Sequence, residues 1–553
     1  MKLLKHLLTK KASLWLLIPV LGIAFAFSTD NKLFDLAKNL EIYASVIKEL
    51  NKFYVDEIDP ASTIKSSIDG MLEQMDPYTE YYPEEEIDDF LSMTTGKYQG
   101  IGVIVDKIEG NYYFVQVEEN EPAFKAGVRT GDQILEINGL DLKNNDVEPS
   151  KLIKGQAGTI LHLKILKPDE ISPKAIEITR QTVVVKNVLY AGMIQKEIGY
   201  IQLDDFNENA AKEVKAALIQ LKNQGMKKLV LDIRNNPGGL LTQAVDVCNL
   251  FLSKDKLIVD TKGKVEDWNK TYKTLNQGFD TNLPLVVLIN GYSASAAEIV
   301  AGVMQDYDRA VLLGQKSYGK GLVQITRDLP YRTKLKITTA KYYIPSGRCI
   351  QAIDYQHKKE KSKPKADSST KTFLTQNKRK VKDGGGIAPD ILIKDDLERD
   401  FLSALYKKDL FFLFSLEYYK KHKNIASAKE FQLSENDFYE FIEFIKLKKF
   451  TYQSPFSEKI KELEILGKAE KLNPELLTSL EKLKNNSALG LEQLLKDNQK
   501  DIKYFIEHEI TAHYYFRKGV KEWSINKDDA ILEGIKVLNQ EEKYNSILKK
   551  HVQ

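Results

Sequence analysis

The stretch "KLVLDIRNNPGGLLTQAVDVCNLFL", residues 228–252, decides the fold. Its opening residues form an almost continuous apolar strand. Asn-Asn-Pro-Gly-Gly then breaks the chain, and apolar positions resume at helical spacing. A strand without polar alternation leaves no face for water, so its sheet must be covered on both sides. "LPLVVLING" (283–291) repeats the pattern ahead of a helix expected from Ala296, and "AVLLGQ" (310–315) and "KLKITTAKYYI" (334–344) add strands. Strands and helices alternating across residues 184–353 predict an α/β layered domain.

Working outward, 553 residues are too many for one core and imply about three to four domains. A composition that is 42% hydrophobic and 29% charged excludes a globally disordered chain. The 81 basic residues nearly balance 78 acidic ones, so the net charge of +3 gives no argument for a nucleic-acid partner. Cys248 and Cys349 stand alone in sequence, which argues for packed thiols over a metal or redox site; a disulfide between them is not readable from sequence.

Lys2, Lys5, Lys10 and Lys11 precede "ASLWLLIPVLGIAFAFS", an apolar run from Ala12 to Ser28. A charged segment followed by an apolar one reads as an export signal, with cleavage after Ala24-Phe-Ala26 or retention as a membrane anchor through residues 12–28. The expected location is the periplasm or cell envelope. Residues 29–95 read as helical. Residues 96–170 turn to short strands and glycine turns. Residues 354–386, with ten Lys/Arg against four Asp/Glu, read as a mobile basic loop. Residues 396–553 are Lys/Glu/Leu-rich and read as a separate helical module, suited to oligomerisation or adaptor binding or to simple stabilisation.

Ser295 lies in "NGYSASAAEIVAGVMQ", between Ala294 and Ala296, where a strand gives way to a helix. Small neighbours admit a substrate chain, and unpaired amides at a helix start can stabilise an oxyanion. A serine there also serves as an ordinary helix cap. Lys320, between Gly319 and Gly321 in "SYGKGLVQ", can act as a base only when desolvation lowers its pKa from ~10.4; otherwise it is a solvated loop lysine. Gln324 offers a neutral amide to orient such an amine. "RNNPGG" (234–239) supplies further backbone donors, or is simply a turn.

Taken together, "LVLDIRNNPGG", "SASAAEIVAGVMQDY", "GQKSYGKGLVQ", "YYIPSGRCIQ" and "GGGIAPD" resemble the carboxyl-terminal processing peptidases (tail-specific proteases) over roughly residues 40–395. The resemblance implies a crotonase/ClpP-like α/β peptidase core in residues 171–395, an inserted PDZ domain in residues 96–170, an N-terminal helical segment and an all-helical C-terminal module. It implies Ser295 as nucleophile, Lys320 as general base and Gln324 as its orienting partner. It also implies an oxyanion hole from the Ala296 amide and a glycine of the NPGG loop, without choosing between Gly238 and Gly239. Ala297 departs from relatives that carry a third serine there. Asp306, commonly acidic in the family, lies too far along the helix from Ser295 for contact and is read as structural, with Arg309 as a candidate partner.

"YQGIGV" (98–103) resembles the PDZ carboxylate-binding loop, and "NEPAFKAGVRTGDQILEINGLDL" the segment that follows it. Amides around Gln99, Gly100, Ile101, Gly102 and Val103 would hold a terminal carboxylate, with the peptide added to a strand edge. The expected partners are unfolded or tailed proteins with apolar C-termini, and no cofactor or metal is implied. "HEITAH" (508–513) resembles a zinc motif, but a spacing of five puts His508 and His513 on different helical faces. Two other functions fit parts of the chain: a catalytically silent PDZ scaffold, and a non-proteolytic enzyme of crotonase-like fold.

Overall fold

The structure, a computed structural model, describes residues 32–145, 147–353, 355, 371–393, 400–487 and 490–549. The apolar run at 12–28 lies outside them, and among the described residues no helix is long and apolar enough to cross a membrane. The chain divides into two compact units, Met1–Pro83 with Arg327–Lys336, and Glu84–Thr326 with Ile337–Gln553.

In the first unit, a helix over residues 32–53 is followed by the helix Pro60–Leu72. Asp59 starts the second helix by accepting the Ala61 and Ser62 amides, and proline occupies its first position, where a missing N–H costs nothing. The strand Glu80–Tyr82 pairs antiparallel with Lys334–Lys336. This unit closes at Pro83, short of the boundary expected at residue 95.

The second unit is built on a six-stranded sheet ordered Val188–Gln195, Ile198–Leu203, Lys228–Asp232, Leu285–Ile289, Val311–Gly314, Ile391–Leu392. The first pair is antiparallel and the rest are parallel. Side chains alternate between the faces, as strand geometry requires. Leu229, Leu231, Leu285, Val287, Ile289 and Leu312 pack under the helices Ala210–Asn223, Leu241–Phe251 and Ala296–Asp306. Cys248 is fully buried in that layer.

Val230, Val286, Leu288, Val311 and Leu313 point the other way, into a layer with Ile531, Val537, Leu538 and Tyr544. These last residues belong to the helices Asp529–Asn539 and Glu541–Leu548. The C-terminal region is therefore not separate from the peptidase sheet. Its last two helices supply the second cover that the apolar strands demand, and the Tyr544 hydroxyl accepts the Leu285 amide at 3.0 Å.

A second sheet, ordered Val103–Ile108, Asn111–Val117, Gln133–Ile137, Ile160–Leu166, Lys174–Thr179, encloses its own core around Ile101, Phe114, Ile134 and Leu163. Gln181–Val184 then returns to pair with Lys97–Gly100. This body reaches Val184, beyond the boundary expected at residue 170, because its last two strands fold back onto it. Phe412, Leu413 and Leu416 of the helix Leu410–Lys421 pack against Ile108, tying this sheet to the helical module.

Part of the segment expected as a mobile loop is ordered. Thr372–Leu374 pairs with Lys380–Lys382, and Arg379 makes ion pairs with Asp308 (2.5 Å) and Asp390 (2.6 Å). Its basic composition hid a buried guanidinium held by two carboxylates; residues 354 and 356–370 lie outside the described residues.

Candidate active site

Three loops leave the carboxyl ends of three adjacent parallel strands: Asn235–Gly239 after Lys228–Asp232, Asn290–Ser295 after Leu285–Ile289, and Gln315–Gly321 after Val311–Gly314. Parallel order brings such loops together at one end of an α/β sheet, where binding sites form. The loops are then sewn to one another. Asn290 Nδ2 donates to Asn235 Oδ1 at 2.8 Å, the Ala294 amide to the Asn236 carbonyl at 2.9 Å, and the Tyr318 amide to the Ser293 carbonyl at 3.1 Å.

Ser295 is half-buried and opens the helix Ala296–Asp306 with φ 54° and ψ −112°. A non-glycine residue there is strained, and such strain persists only where the surroundings impose it. Gly238 packs directly against this turn: a Cβ on it would lie 2.8 Å from both Ser295 Cβ and the Ala294 carbonyl oxygen, and 3.0 Å from the Ala296 nitrogen. The Gly238 amide donates to Asn236 Oδ1 at 2.8 Å. Among the described residues, no partner is found for the Gly239 amide. Ala296, the first helical residue, has no carbonyl one turn behind it in the helix to receive its own amide.

Glu298 is the residue that sequence reasoning missed. It is fully buried, and its two oxygens accept four donors. Oε2 receives the Ser295 and Lys320 amides, both at 2.9 Å, and Oε1 receives the Ser317 hydroxyl at 2.6 Å and the Gly319 amide at 2.7 Å. A carboxylate offers about four acceptor sites, and all are used. Burial pushes its pKa up to about 7, against the lowering pull of the Ser317 hydroxyl and the three amides. The signal was present in Ser295-Ala-Ala-Glu298, the Ser-x-x-Glu pattern of a capping box.

Tyr342 holds the same two segments from their carbonyl side. Its hydroxyl donates to the Lys320 carbonyl at 2.8 Å and lies 3.3 Å from the Ser295 carbonyl. Lys320 is half-buried. Cβ atoms on its neighbours would lie 2.6 Å from Ala352 Cβ (Gly319) and 2.7 Å from the Gln351 nitrogen (Gly321), so only glycine lets the loop pass this close to 351–352. Gln324, on the strand Leu322–Asp328, donates through Nε2 to Thr338 Oγ1 at 3.1 Å.

Asp306 is buried and structural, but its partner is not Arg309. It pairs with the buried Arg348 at 2.8 Å and accepts the Ser346 amide at 2.9 Å, whereas Arg309 donates to the Phe251 and Asp280 carbonyls. Local spacing had suggested Arg309. The loop carrying Arg348 folds back onto the helix end and takes its place.

The other expected binding loop belongs to the second sheet. Gln99 Oε1 accepts the Ala157 amide at 2.8 Å, and Ile101 is fully buried with its carbonyl accepting the Ala123 amide. Gly102, at φ +81°, has Glu121 Cβ 2.4 Å from where its own Cβ would stand, so a side chain is excluded. His513 of the "HEITAH" stretch is buried, with Nδ1 3.0 Å from the Thr130 carbonyl and Nε2 2.8 Å from Ser415 Oγ.

The strained serine turn and the lysine loop sewn to it thus sit together at one end of the α/β sheet, and the small β-domain carries a glycine loop of its own. Residues 197–358 match "Peptidase family S41", residues 99–178 match "PDZ domain", and residues 401–538 match "Probable PDZ-protease, C-terminal helical domain". A "Carboxy-terminal-processing protease" of Bartonella bacilliformis is 35% identical over 347 residues, 62% of this chain and 79% of that protein. A "Probable CtpA-like serine protease" of Staphylococcus aureus is 33% identical over 344 residues (61% and 68%), and one of Staphylococcus epidermidis 33% over 334 residues (60% and 67%). The chain belongs to peptidase family S41, among the carboxy-terminal-processing serine proteases, and is an α/β serine-type peptidase with a PDZ domain and a helical C-terminal module. A protease rather than a silent scaffold is the reading this supports.

Proposed function

We propose that Ser295 is the nucleophile of this peptidase and Lys320 its general base. The observation that carries this reading is the shared attachment of the two residues: Glu298 takes both amides and Tyr342 spans both carbonyls. A neutral Lys320 amine takes the Ser295 proton as the hydroxyl oxygen attacks the scissile carbonyl, then returns it to the leaving amine. Water hydrolyses the resulting ester by the same proton route. The tetrahedral oxyanion is held by the Ala296 amide and by a glycine of the NPGG loop. Gly239 is favoured over Gly238 for the second donor, because Asn236 already occupies the Gly238 amide. With its Nε2 bound to Thr338, the Gln324 amide is fixed and leaves its oxygen for the lysine.

The PDZ loop Gln99–Val103 holds the terminal carboxylate of unfolded or tailed protein substrates, and apolar tails suit it. The strand Val103–Ile108 lies at the edge of its sheet, beside the loop, where a peptide can add as a further strand. The lysines and apolar run at residues 2–28 support export to the periplasm or cell envelope, with residues 12–28 removed or kept as an anchor. Self-association or adaptor binding is assigned to the parts of residues 396–553 that do not cover the sheet.

The test is cleavage of an unfolded protein with an apolar tail by the wild type, Ser295→Ala and Lys320→Ala. Loss of cleavage in both variants, with unchanged melting temperature, is expected. Cleavage surviving in Ser295→Ala would overturn the assignment.

A further inference from the structure

The helix Gln499–Ser524 of the C-terminal module is interrupted at one residue: Phe516 has φ 55° and ψ −168°, and the helix kinks there. Such strain in a non-glycine residue persists only where its neighbours impose it. Both sides of the kink are held. The Phe516 ring meets the Phe124 ring of the PDZ domain edge-on, centroids 5.2 Å apart, and the Arg129 guanidinium lies 4.4 Å from the Phe124 ring. The next residue, Arg517, reaches the peptidase sheet: its Nη2 donates to Asp204 Oδ2 at 2.7 Å, while Nη1 lies 3.5 Å from Glu118 Oε1. One turn on, Lys521 Nζ lies 3.6 Å from Asp232 Oδ2. Asp204 follows the strand Ile198–Leu203, and Asp232 ends the adjacent strand Lys228–Asp232. One face of the helix therefore grips the carboxyl ends of both.

Two residues past Asp204 the chain reaches the NNPGG loop. The fully buried Phe206 donates its amide to the Gly238 carbonyl at 2.9 Å and accepts the Leu240 amide at 2.8 Å, a parallel bridge to Gly239. Because the bridge uses groups on either side of Gly239, the Gly239 N–H itself points away from Phe206. The approach is close: a Cβ on Gly239 would lie 2.6 Å from the Phe206 carbonyl oxygen. Burial raises the pKa of Asp204 and of its neighbour Asp205, and Arg517 opposes both shifts. Removing the guanidinium takes away the ion pair of Asp204 just where the segment must hold Phe206 in register.

We propose that Arg517 is a positioning residue for the oxyanion hole: by gripping Asp204 it fixes Phe206, and Phe206 in turn fixes the direction of the Gly239 amide. The proposal rests on the reading above in which that amide is the second oxyanion donor. The helical module thereby contributes to transition-state binding without touching substrate.

The test uses the full chain and compares wild type with Arg517→Met, which keeps the apolar stem, with Arg517→Lys and with Asp204→Asn. Cleavage of an unfolded protein with an apolar tail is measured, together with inhibition by a tripeptide aldehyde ending in valinal. Ser295 Oγ bonds to the aldehyde carbon, its proton passes to Lys320, and the former carbonyl oxygen becomes the oxyanion. Arg517→Met and Asp204→Asn should each lower kcat about thirtyfold, leave KM within about twofold and weaken the aldehyde about tenfold. The inhibition constant does not depend on the fraction of molecules folded, so a merely structural role would not move it. Arg517→Lys, which keeps a cation at this position, should hold kcat within about threefold of wild type. Unchanged aldehyde inhibition in both Arg517→Met and Asp204→Asn would overturn the proposal. The Gly239 reading is checked separately, in wild type carrying isotope-labelled glycine, where the Gly239 amide proton should move downfield when the aldehyde binds. No movement would sink that reading and the proposal with it. Movement in wild type and equally in Arg517→Met would overturn the proposal alone.

Discussion

Ser295 and Lys320 share one carboxylate oxygen: each donates its main-chain N–H to Glu298 Oε2 at 2.9 Å. The 25-residue gap between them in sequence is closed by a side chain that belongs to neither loop's tip. Glu298→Gln should break this arrangement, because an amide puts a donor NH2 among four donors and leaves one acceptor oxygen. The expected result is a fall in kcat/KM of about a hundredfold or more with a lower melting temperature, as for a buried network left half satisfied. Parallel melting and single-turnover measurements would check it.

The same carboxyl gives a pH signature. Its folded pKa of about 7 lies above the ordinary glutamate value, so over that window the folded state holds a proton that the unfolded chain has lost. Its contribution to stability is full below about pH 4.5 and is lost as pH rises through about 7. Activity should move the opposite way, since only the ionised form accepts all four donors. A kcat/KM profile should therefore rise near pH 7. Ser317→Ala, which removes a bond that lowers this pKa, should move the rise to higher pH; an unmoved limb would assign it to another group.

Tyr342→Phe removes the hydroxyl that spans the Ser295 and Lys320 carbonyls and keeps the buried ring. A loss of about 1 kcal/mol in stability is expected, with kcat reduced about tenfold and KM little changed. Urea unfolding and steady-state kinetics on the same preparation distinguish these effects.

Gly238→Ala places a methyl 2.8 Å from Ser295 Cβ at a φ of +105°. The loop must shift, and with it the amides beside the serine. Cleavage should fall by at least about a hundredfold while the far-ultraviolet spectrum is retained.

Asp306→Ala should act through folding. It strands Arg348, 2% exposed, without its carboxylate, a loss of about 3–5 kcal/mol. A melting temperature lowered with activity, rather than activity alone, is the expected outcome.

What could be read before the structure, and what could not, follows from distance along the chain. The three loops were legible because each announces itself locally, by Asn-Pro-Gly-Gly, by serine among alanines and by lysine between glycines. Glu298 was equally local but looked like an ordinary helix residue; only its burial shows that it serves two loops. Arg348 displaced Arg309 as the partner of Asp306 because pairing is decided in three dimensions. The basic residues around Arg379 suggested an unpacked loop, since composition does not reveal that Asp308 and Asp390 wait for one of them. The apolar strands correctly demanded two covers, yet nothing in Ile531 or Tyr544 names the sheet they cover.

That second cover also fixes an order of events. Tyr544 meets Leu285 across 259 positions, so a chain emerging amino-terminus first carries an exposed apolar sheet face until its last helices arrive. The three loops hang from the ends of those strands, which both layers brace. Arg234, beside the NNPGG loop, makes the dependence direct, because it is clamped between Asp232 and Asp528 at 2.6 and 2.7 Å. The geometry at the start of the NNPGG loop therefore depends on Asp528, 294 positions further along the chain.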